Sequence, residues 1–586
     1  MSKCFTADFE TITCLEDESY VWAWAISEIG DSENFKYGNS IETFIDFVIE
    51  NPNSKWYFHN LKFDGEFILY FLISNGFQIV ESKKDLKTFS IYPVISDMGQ
   101  FYKIIVYFYY KNKKMIKAEF IDSLKMIPFS VSETAKAFGL QEEKLSIDYN
   151  KYRSRNHVLT SNEIAYIKND VVIMSKAIHQ MFEKGLKKGT RASNSLEDFK
   201  KIFGKDRFKL FFPQLDFETD SDIRQSYKGG FTYLNPTYKE KEVGFGNVID
   251  VNSLYPYCMY EKLLPYGEPI FFQGEYKESK EFPLYIQMIT CRFKLKENML
   301  PTIQIKNSFS FIPNEYLESS NGEIVGLCLT SVDLQMFFRH YEVEDLKFIS
   351  GYMFKGIHGI FTEFIDKWIK EKIEATKEKN KGKRTTAKLM LNSLYGKFAK
   401  VLKMRNKFPY LGEDGIVHYY FSDYEITDGI YIPIGSFITA YAREKTIETS
   451  QKIHEYSINK YGKSLYYYSD TDSIHTGLSK EELEQFVEID DVKLGAWALE
   501  KSFSKAKFLR QKCYVEVVDG SLEITCAGLP KNCYNQVTWE NFKMGFTCSG
   551  KLTFKHVKGG VKLVETEFTI KEEKLKNTIK NLQSII

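Results

Sequence analysis

The chain has 586 residues, which is long enough for several domains with hydrophobic cores of their own. Its 79 Lys and Arg balance 78 Asp and Glu, and the net charge of +1 excludes a uniformly basic nucleic-acid coat, so any grip on nucleic acid must come from local patches. The nine cysteines show no paired or metal-ligand spacing, the N-terminus has no apolar signal segment, and no apolar run could span a bilayer, which together predict a protein of a reducing cytosol.

Strand-like and helical patterns alternate in the first third of the chain. They are strands at residues 5–9, 104–110 and 119–121, and helices at residues 42–49 and 164–182. The alternation predicts an α/β domain that ends near residues 187–189. Further on, a strand at 247–251 precedes a helix, residues 265–359 are dotted with prolines and give no clear pattern, and strand-rich sequence returns at 465–476.

A first set of acidic residues lies in this α/β region. Asp8 and Glu10 stand at i and i+2 on one face of a predicted strand, Asp64 follows His59 and Asn60, and Tyr166 and Asp170 stand at i and i+4 on a predicted helix. Each pair alone is more often a solvated surface pair. Four converging carboxylates, however, can hold two divalent metals, and hard oxygen ligands favour Mg²⁺ or Mn²⁺. Taken together and in this order, they favour a nuclease.

A second acidic set lies further along the chain. Asp250 stands at the end of a predicted strand, and Asp470 and Asp472 stand in a tight turn after an aromatic strand. Carboxylates in such apolar surroundings are costly to desolvate unless they meet a metal. A hairpin turn with side-chain hydrogen bonds would explain Asp470 and Asp472, but it would leave Asp250 unexplained.

Two helices are predicted at residues 362–378 and 385–399, on either side of a charged run. Lys388, Asn392 and Tyr395 fall at i, i+4 and i+7, on one face of the second helix. Such a face suits a nucleoside triphosphate, with phosphate on the lysine and base or sugar against the tyrosine. A plain amphipathic helix is the alternative, and it leaves the run Asn-Ser-Leu-Tyr-Gly unexplained.

These elements resemble motifs A, B and C of the family B DNA polymerases. They read D-x-x-S-L-Y-P from Asp250, K-x-x-x-N-S-L-Y-G from Lys388 and Y-x-D-T-D-S from Tyr468. The first acidic set resembles the three motifs of the DEDD proofreading exonucleases, in the form with a tyrosine in the third motif. Tyr227 begins a Y-x-G-G link and Lys512 a K-x-Y motif. Residues 121–125, 437–440 and 509–512 resemble the protein-primed branch, of the phi-twenty-nine phage type.

The resemblance implies a multidomain α/β fold, with an RNase H-like 3′→5′ exonuclease domain and a right-hand polymerase of palm, fingers and thumb carrying two insertions. The implied boundaries are exonuclease 1–190, palm 191–261 and 426–527, terminal-protein-region insertion 262–360, fingers 361–399, β-hairpin insertion 400–425 and thumb 528–586. Within the hairpin insertion, residues 407–411 and 416–420 flank a turn with Asp-Gly, which itself predicts a hairpin.

The implied activity is protein-primed, template-directed DNA synthesis with proofreading and strand displacement, on a linear viral DNA genome. It would use two-metal nucleotidyl transfer with two Mg²⁺ or Mn²⁺ ions per active site. The implied partners are primer-template DNA, deoxynucleoside triphosphates, a terminal protein primer and a single-stranded-DNA-binding protein. The resemblance further implies that the protein acts as a monomer, without membrane association, in the cytoplasm of a phage-infected bacterium.

The resemblance also assigns roles residue by residue. In the polymerase site, the metal ligands would be Asp250, the Val251 backbone and Asp472; Asp470 and Lys388 would join the catalysis; and the substrate contacts would be Tyr255, Lys372, Lys388, Asn392, Tyr395, Lys512 and Tyr514. In the exonuclease site, the metal ligands would be Asp8, Glu10, Asp64 and Asp170; Tyr166 and Lys144 would assist; and the single-strand contacts would be Thr11, His59, Asn60, Phe63, Ser123 and Leu124. Residues 376–384 at the finger tip do not match the branch cleanly.

Three further expectations remain open at this point. The basic residues Lys501, Lys505, Lys507, Arg510 and Lys512 would contact the DNA backbone, or would simply form a solvated helix face. A stand-alone nuclease with a degenerate polymerase domain is one rival reading, and a scaffold that only binds single strands is another. Neither rival needs both intact sets of carboxylates. An assay of magnesium-dependent primer extension would distinguish the polymerase, the stand-alone nuclease and the scaffold.

Overall fold

The computed structural model describes residues 3–305 and 316–571. The expected exonuclease domain, first insertion and thumb also include residues 1–2, 306–315 and 572–586, which lie outside the described residues. No helix in the described part of the chain is long and apolar enough to cross a membrane.

The N-terminal part of the chain folds around one eight-stranded sheet. Its elements are β1 (Cys4–Thr11), β2 (Val21–Glu28), β3 (Asp31–Gly38), α1 (Ile41–Glu50), β4 (Lys55–Phe58), α2 (Leu61–Ser74), β5 (Gln78–Ile79), β6 (Ser90–Ile95), β7 (Phe101–Lys111), β8 (Lys114–Asp122), α3 (Val131–Phe138) and α4 (Ser161–Glu183). The strand order is β3-β2-β1-β4-β8-β7-β6-β5, with β1, β4 and β8 parallel. Helices cover both faces, which is why the central strands are apolar on both sides. The predicted α/β pattern is confirmed, and each predicted element lies within an observed one.

A second, five-stranded sheet carries the residues of the second acidic set. The elements leading into it are α5 (Arg191–Phe203), α6 (Lys205–Phe211), α7 (Phe217–Arg224), β9 (Thr232–Leu234), β10 (Glu242–Val243), β11 (Gly246–Val251) and α8 (Leu254–Glu261). Three later strands, β22 (Tyr466–Asp470), β23 (Ser473–Thr476) and β24 (Trp497–Phe503), complete the sheet in the order β24-β11-β23-β22-β9, so strands distant in sequence become neighbours. This order brings the two halves of the second acidic set together.

The described residues 264–305 and 316–357, which lie within the first expected insertion, form elements that the sequence pattern did not predict, and we call them the 264–357 unit. Its elements are β12 (Leu264–Gln273), β13 (Leu284–Leu295), β14 (Ile303–Gln304), β15 (Tyr316–Leu317), β16 (Val325–Thr330), α9 (Ser331–His340) and β17 (Tyr341–Ile357). Four of the strands form an antiparallel sheet in the order β12-β17-β13-β16. The prolines that hid β12 lie at its start and at an irregularity after Tyr266, where the pairing with β17 shifts.

The finger helices are α10 (Thr362–Lys377) and α11 (Lys381–Leu391). The prediction for residues 362–378 is confirmed, but the prediction of one helix over 385–399 is wrong. The second helix begins four residues earlier and ends at Leu391, where Asn392 caps it and its backbone N–H donates to the carbonyls of Lys388 and Met390. Tyr395 follows in a separate turn of 3-10 helix. Asn, Ser and Gly are weak helix formers, and they end the helix here.

The rest of the chain adds a small hairpin, a long helix and two antiparallel units. The elements are β18 (Lys403–Met404), β19 (Lys407–Leu411), β20 (Val417–Phe421), β21 (Glu425–Ile426), α12 (Ile432–Tyr461), β22 (Tyr466–Asp470), β23 (Ser473–Thr476), α13 (Lys480–Leu483), β24 (Trp497–Phe503), β25 (Lys505–Arg510), β26 (Cys513–Val518), β27 (Ser521–Cys526), β28 (Thr547–Val557) and β29 (Gly560–Thr569). Strands β19 and β20 pair from Lys407↔Phe421 to Leu411↔Val417, so the predicted hairpin is confirmed.

A buried ion pair joins the 264–357 unit to the long helix α12. The Arg443 guanidinium donates to both carboxylate oxygens of Asp333 on α9, at 2.8 and 2.7 Å, and both side chains are almost fully buried. Arg443 also donates to the carbonyls of Lys228 and Gly229, in the Y-x-G-G link. A second ion pair between the same helices, Arg339 with Glu448, is solvent-exposed.

We expect these two ion pairs to differ sharply in stability. Asp333→Ala leaves a buried guanidinium without its carboxylate and should lower the free energy of unfolding by about 3–5 kcal/mol. Arg339→Ala is the matched control on the same pair of helices and should cost about 1 kcal/mol or less, because water screens the exposed pair. Urea titrations monitored by fluorescence measure both, and equal losses would contradict a structural role for the buried pair.

Candidate active sites

The second acidic set meets at one edge of the five-stranded sheet. Asp250 on β11 and Asp470 on β22 both pair with Ser473 of the intervening strand β23, one from each side. Asp472 lies in the turn between β22 and β23, and its carbonyl accepts from the Val251 backbone N–H at 2.8 Å. The register of three strands therefore brings the three carboxylate residues together, as the motif order implied.

The tight turn that carries Asp472 is fixed from several directions. Thr471 has a φ of 64°, in the left-handed region that is costly for a β-branched residue. Its N–H donates to the Phe231 carbonyl at 2.7 Å, and its carbonyl accepts from the Thr446 hydroxyl at 2.7 Å. Gly230 leaves space for the Thr471 side chain, since a Cβ there would lie 2.7 Å from it. The Y-x-G-G link thus has a steric reason for its second glycine.

The carboxylates of this set repel one another. Burial, followed by the charges of Asp472 and Glu500, raises the pKa of Asp250 to about 7, while Lys388 pulls it down. Burial, with Asp470 and Glu500 nearby, also raises the pKa of Asp472. Glu500 lies at an irregularity where the pairing of β11 with β24 shifts by one residue. Sequence reasoning missed Glu500, because nothing in the local pattern marks it.

Asp470 differs from its two neighbours in having protein partners. Its carboxylate accepts from the Lys512 ammonium at 2.7 Å, from Thr232 at 3.3 Å and from the Tyr468 hydroxyl at 3.3 Å. Tyr468 in turn accepts from the Lys512 backbone N–H at 2.9 Å. The K-x-Y motif is therefore attached directly to motif C, and Asp250 and Asp472 remain the more available ligands.

Cations of helices α10 and α11 and two aromatic rings outside these helices lie beside this site. The rings of Tyr255 and Tyr395 stack at 4.0 Å between centroids, with an interplanar angle of 21°. Burial, followed by the charges of Arg384 and Lys388, lowers the pKa of Lys372. Lys372 and Arg384 line a cavity of about 450 Å³ between the fingers and the start of α8. Arg384 was missed, although its position four residues before Lys388 is a signal that could have found it.

The first acidic set converges beside the eight-stranded sheet. Asp8 and Glu10 come from β1, Asp64 from α2 and Asp170 from α4; Glu10, Asp64 and Asp170 are buried, and Asp8 is half-buried. The Asp64 carboxylate accepts from the Phe9 backbone N–H at 3.1 Å. Burial and then the Asp170 charge raise the pKa of Asp8 to about 7, with Lys144 opposing them.

Glu10, Asp64 and Asp170 share this environment. Burial, followed by the Asp8 charge, holds the pKa values of Glu10 and Asp64 well above their ordinary range. Burial also raises the pKa of Asp170, against the Lys144 ammonium 3.1 Å from its carboxylate. The predicted grouping of the four carboxylates is therefore seen in their mutual electrostatics.

Both sets have the donor chemistry that a divalent cation needs. One carboxylate oxygen of Asp170 is buried without a hydrogen-bond partner, and hard oxygen donors suit Mg²⁺ or Mn²⁺. Over residues 3–305 and 316–571, no three acidic, histidine or cysteine side chains already form a closed ligand set. The Lys144 ammonium meanwhile lies 3.1 Å from the other carboxylate oxygen of Asp170.

The residues expected to touch single-stranded DNA divide into two groups. Ser123 is fully buried and donates to the Phe58 carbonyl at 3.0 Å, so its side chain cannot reach a strand in this conformation. It instead contacts His59, whose other ring nitrogen lies 2.6 Å from the Phe129 carbonyl. Burial lowers the pKa of His59 to about 4, so the ring is neutral at pH 7.

Two of the other expected strand contacts, Asn60 and Leu124, lie at Asp122, which sequence reasoning missed. Its carboxylate accepts from the backbone N–H groups of Asn60 and Leu124, at 3.1 and 3.0 Å. Tyr149 was also missed, and its hydroxyl lies 2.6 Å from that of Tyr166 beside the carboxylates. No spacing pattern marks either residue. Thr11 is nearly buried at the end of β1, and Phe63 is partly buried against Phe67 and Phe554.

The expected basic face near the end of the chain is not a helix face, and most of it has protein partners. The residues lie on β24, β25 and the following turn. Lys501 pairs with Glu516 and Glu523. Lys507 donates to the Trp539 carbonyl at 2.8 Å, and the buried Arg510 donates to backbone carbonyls. These lysines and the arginine stabilise the fold, and only part of the patch remains for DNA.

The family model, the sequence relatives and the solved structure that match this chain are all DNA polymerases. The family model for DNA polymerase type B, organellar and viral, matches residues 45–488. The chain is 44% identical to the DNA polymerases of Bacillus phages B103 and phi29, covering 97% of this chain and 100% and 99% of those proteins, and 33% identical to that of Streptococcus phage Cp-1, covering 98% and 99%. A solved structure of Phi29 DNA polymerase complexed with primer-template DNA superposes with a TM-score of 0.90 at 42% identity, covering 97% of this chain and all of the other.

We expect the raised pKa of Asp250 to make stability depend on pH when no metal is bound. The native state keeps the proton up to about pH 7, whereas the unfolded chain releases it near the ordinary value of 3.8. Between these values the native state binds more protons, so this contribution to the free energy of unfolding is lost as pH rises. Asp250→Asn should therefore be more stable than the unmodified protein at pH 8 and equally stable at pH 4.

Urea titrations in a chelating buffer measure this difference. Asp97→Asn is a control, because Asp97 is an exposed acid in a surface turn. A stability difference for Asp250→Asn that is the same at both pH values would contradict the expected burial of charge at this position.

Proposed function

The chain belongs to the organellar and viral type B DNA polymerases, and from that premise we propose how its two carboxylate sets divide the work. It is a DNA-directed DNA polymerase of the phi29 phage type. We propose that the palm set of Asp250, Asp470 and Asp472 adds nucleotides and that the N-terminal set removes them in the 3′→5′ direction. The observation that carries this division is the presence of two carboxylate sets with raised pKa values on two separate sheets of one chain.

In synthesis, the primer 3′-hydroxyl attacks the α-phosphorus of a deoxynucleoside triphosphate and pyrophosphate leaves. Asp250, Asp472 and the Val251 backbone would hold Mg²⁺ or Mn²⁺, which when bound lowers the pKa of the hydroxyl and offsets phosphate charge. Lys372 and Lys388 neutralise the triphosphate, and Lys388 donates a proton to the leaving pyrophosphate. Arg384, which lines the same cavity as Lys372, is a further candidate for this role.

Nucleotide selection rests on the two stacked tyrosines. We propose that the Tyr255 ring occupies the space a ribose 2′-hydroxyl would need and that Tyr395 contacts the nascent base pair. Because these rings touch each other, they must separate before a nucleotide binds between them. Asn392, which caps helix α11, lies three residues before Tyr395, and we propose that it contacts the same nucleotide. Lys512 and Tyr514 hold the primer end beside Asp470, a role supported by the direct contact of Lys512 with that carboxylate.

In proofreading, Asp8, Glu10, Asp64 and Asp170 would hold the metal ions at the terminal phosphate. Lys144 and Tyr166 orient the attack on that phosphate, and the Tyr149 hydroxyl fixes Tyr166. We keep Thr11, His59, Asn60, Phe63 and Leu124 as the residues that line the path of the frayed strand, and Ser123 as the residue that positions His59. Stacking of unpaired bases on aromatic rings suits such a path.

The finer assignments follow the phage relatives. Solved structures of Phi29 DNA polymerase with primer-template DNA and with incoming nucleotides support the same two partners for this chain. We further propose a terminal protein as primer, a single-stranded-DNA-binding protein as helper, and action as a monomer in the cytoplasm of a phage-infected bacterium. The division into exonuclease, palm, fingers, thumb and two insertions at the boundaries given above remains part of this proposal.

The two activities should be separable by mutation. Asp472→Ala should reduce nucleotide addition by at least about a thousandfold, because it removes a ligand used only by the palm set, and should leave degradation of single strands unchanged. Asp8→Ala with Glu10→Ala should do the reverse. Primer extension and single-strand degradation measure the two activities side by side. A folded Asp8/Glu10 variant that had lost primer extension would require the sites to be reassigned.

Initiation should transfer a nucleotide to a protein. We expect the hydroxyl of a Ser, Thr or Tyr on the partner to take the place of the primer hydroxyl at Asp250 and Asp472, with the 264–357 unit as the docking region. Incubation with the partner and a labelled nucleotide should give a covalent protein–nucleotide adduct that Asp472→Ala abolishes. If the partner is present and no such Asp472-dependent adduct forms, protein priming should be dropped.

The β19–β20 hairpin should be needed for synthesis through duplex DNA. It follows motif B beside the expected template path, where it can act as a wedge that admits one strand. Opening a base-pair step costs about 1.4 kcal/mol, which nucleotide addition can drive. Deletion of residues 404–420 should spare filling of a short single-stranded gap and cripple strand-displacement synthesis. Full displacement by the deleted protein would contradict the wedge.

A further inference from the structure

A buried carboxylate joins three parts of the chain that are far apart in sequence. Glu66 lies on α2 of the exonuclease region and is only 3% exposed. One of its oxygens accepts from the Tyr419 hydroxyl on β20 at 2.8 Å, and the other lies 3.2 Å from a ring nitrogen of His556 on β28. The Tyr419 and His556 rings also contact each other, with 5.8 Å between centroids. The three side chains form a closed triangle, which we call the Glu66 junction.

The surrounding contacts bring the same three elements together. The turn between β28 and β29 lies on the exonuclease region, where Ser19 N–H donates to the Lys558 carbonyl at 2.9 Å. Gly560 in that turn faces the Phe67 ring so closely that a Cβ would lie 2.5 Å from it. The tip of the β19–β20 hairpin meets the turn as well, because a Cβ on Gly415 would lie 3.5 Å from the Lys558 side chain. The hairpin and the β28–β29 unit thus touch each other and the exonuclease region at one place.

The chemistry of the junction makes its two hydrogen bonds depend on each other. Burial, followed by the Glu66 carboxylate, holds the pKa of Tyr419 well above its ordinary range, so its hydroxyl stays a donor. A hydrogen bond to a buried carboxylate stabilises more than one between neutral groups, and a carboxylate left with one donor is poorly compensated. Release of either the hairpin or the β28–β29 unit therefore weakens the attachment of the other.

We propose that Glu66 is the positioning residue that closes the hairpin and the β28–β29 unit into a ring against the exonuclease region, so that both are held on DNA together. This inference rests on the proposed wedge function of the hairpin, and it adds the residue that keeps the wedge in place. Glu66 does not touch the reacting atoms. It lies two residues after Asp64 on the same helix, so the ring is attached to the element that carries one exonuclease carboxylate.

The chain offers a matched pair of variants for the test. Tyr419 and the next residue, Tyr420, each donate a hydrogen bond of 2.8 Å from β20 to a glutamate of the exonuclease region. The partner of Tyr419 is the buried Glu66, whereas the partner of Tyr420 is the exposed Glu81, and Tyr420 itself is 40% exposed. Tyr419→Phe and Tyr420→Phe remove the same atom from neighbouring positions, and only the first disturbs the junction. Glu66→Leu removes both hydrogen bonds of the junction at once.

Three measurements on the full chain distinguish positioning from general destabilisation. With a competitor trap, Tyr419→Phe should shorten the DNA made per binding event about tenfold on a template with downstream duplex, while addition of a single nucleotide to a short primed template stays unchanged. Amide hydrogen exchange of the turn at residues 557–560 should become about tenfold faster. Tyr420→Phe should match the unmodified protein in all three measurements, and Glu66→Leu should equal or exceed Tyr419→Phe.

The outcomes separate this inference from the proposed function. If the unmodified protein makes no product through duplex DNA, the wedge function fails, and hydrogen exchange still reports whether the junction holds the turn. If displacement occurs normally and Tyr419→Phe behaves as Tyr420→Phe does in product length and exchange, the role of Glu66 is refuted. Equal losses in single-nucleotide addition and in product length would also refute it, because they would indicate a general loss of structure.

Discussion

The desolvation and mutual repulsion of crowded carboxylates are the constraint on which this structure depends. In each of the two carboxylate sets, desolvation first and neighbouring charges second raise the pKa of one member, Asp8 or Asp250, to about 7. Such an arrangement works against folding as long as no cation is bound. It persists because the surrounding sheets fix the backbone that carries the acids. Proteins accept this kind of strain where binding or catalysis needs it.

The palm shows how the backbone is fixed. The register of β11, β22 and β23 sets the positions of Asp250 and Asp470, and the Thr471 turn is tied to Phe231 and to α12. Arg443 on α12 then attaches the Y-x-G-G link and the 264–357 unit to the same framework. The Glu66 junction likewise fixes the β19–β20 hairpin and the β28–β29 unit, with one buried carboxylate and two donors. Buried charges with specific partners thus connect the domains as well as forming the sites.

Much of the site, and the parts of the fold that carry it, could be predicted from the sequence, because the motifs are local. Apolar strand patterns and the turn-forming residues that follow them predict that Asp250 lies at the end of a strand and that Asp472 lies in a turn. The elements and residues that the sequence did not predict depend on tertiary contacts. The strand β12 was hidden by prolines that an irregular pairing accommodates, and the end of α11 was set by the Asn392 cap. Tyr149, Glu500 and Glu66 gain their roles only from partners more than ten residues away, and Asp122 gains part of its role from the distant Asn60, so no periodicity predicts them.

The central claim is that the two carboxylate sets bind divalent ions independently of each other. Counting bound Mn²⁺ by electron paramagnetic resonance, without DNA or nucleotide, tests it most directly. We expect Asp250→Asn with Asp472→Asn to remove only one group of bound ions, and Asp8→Ala with Glu10→Ala to remove only the other. Loss of all bound Mn²⁺ in either folded variant, or loss in neither, would contradict the claim.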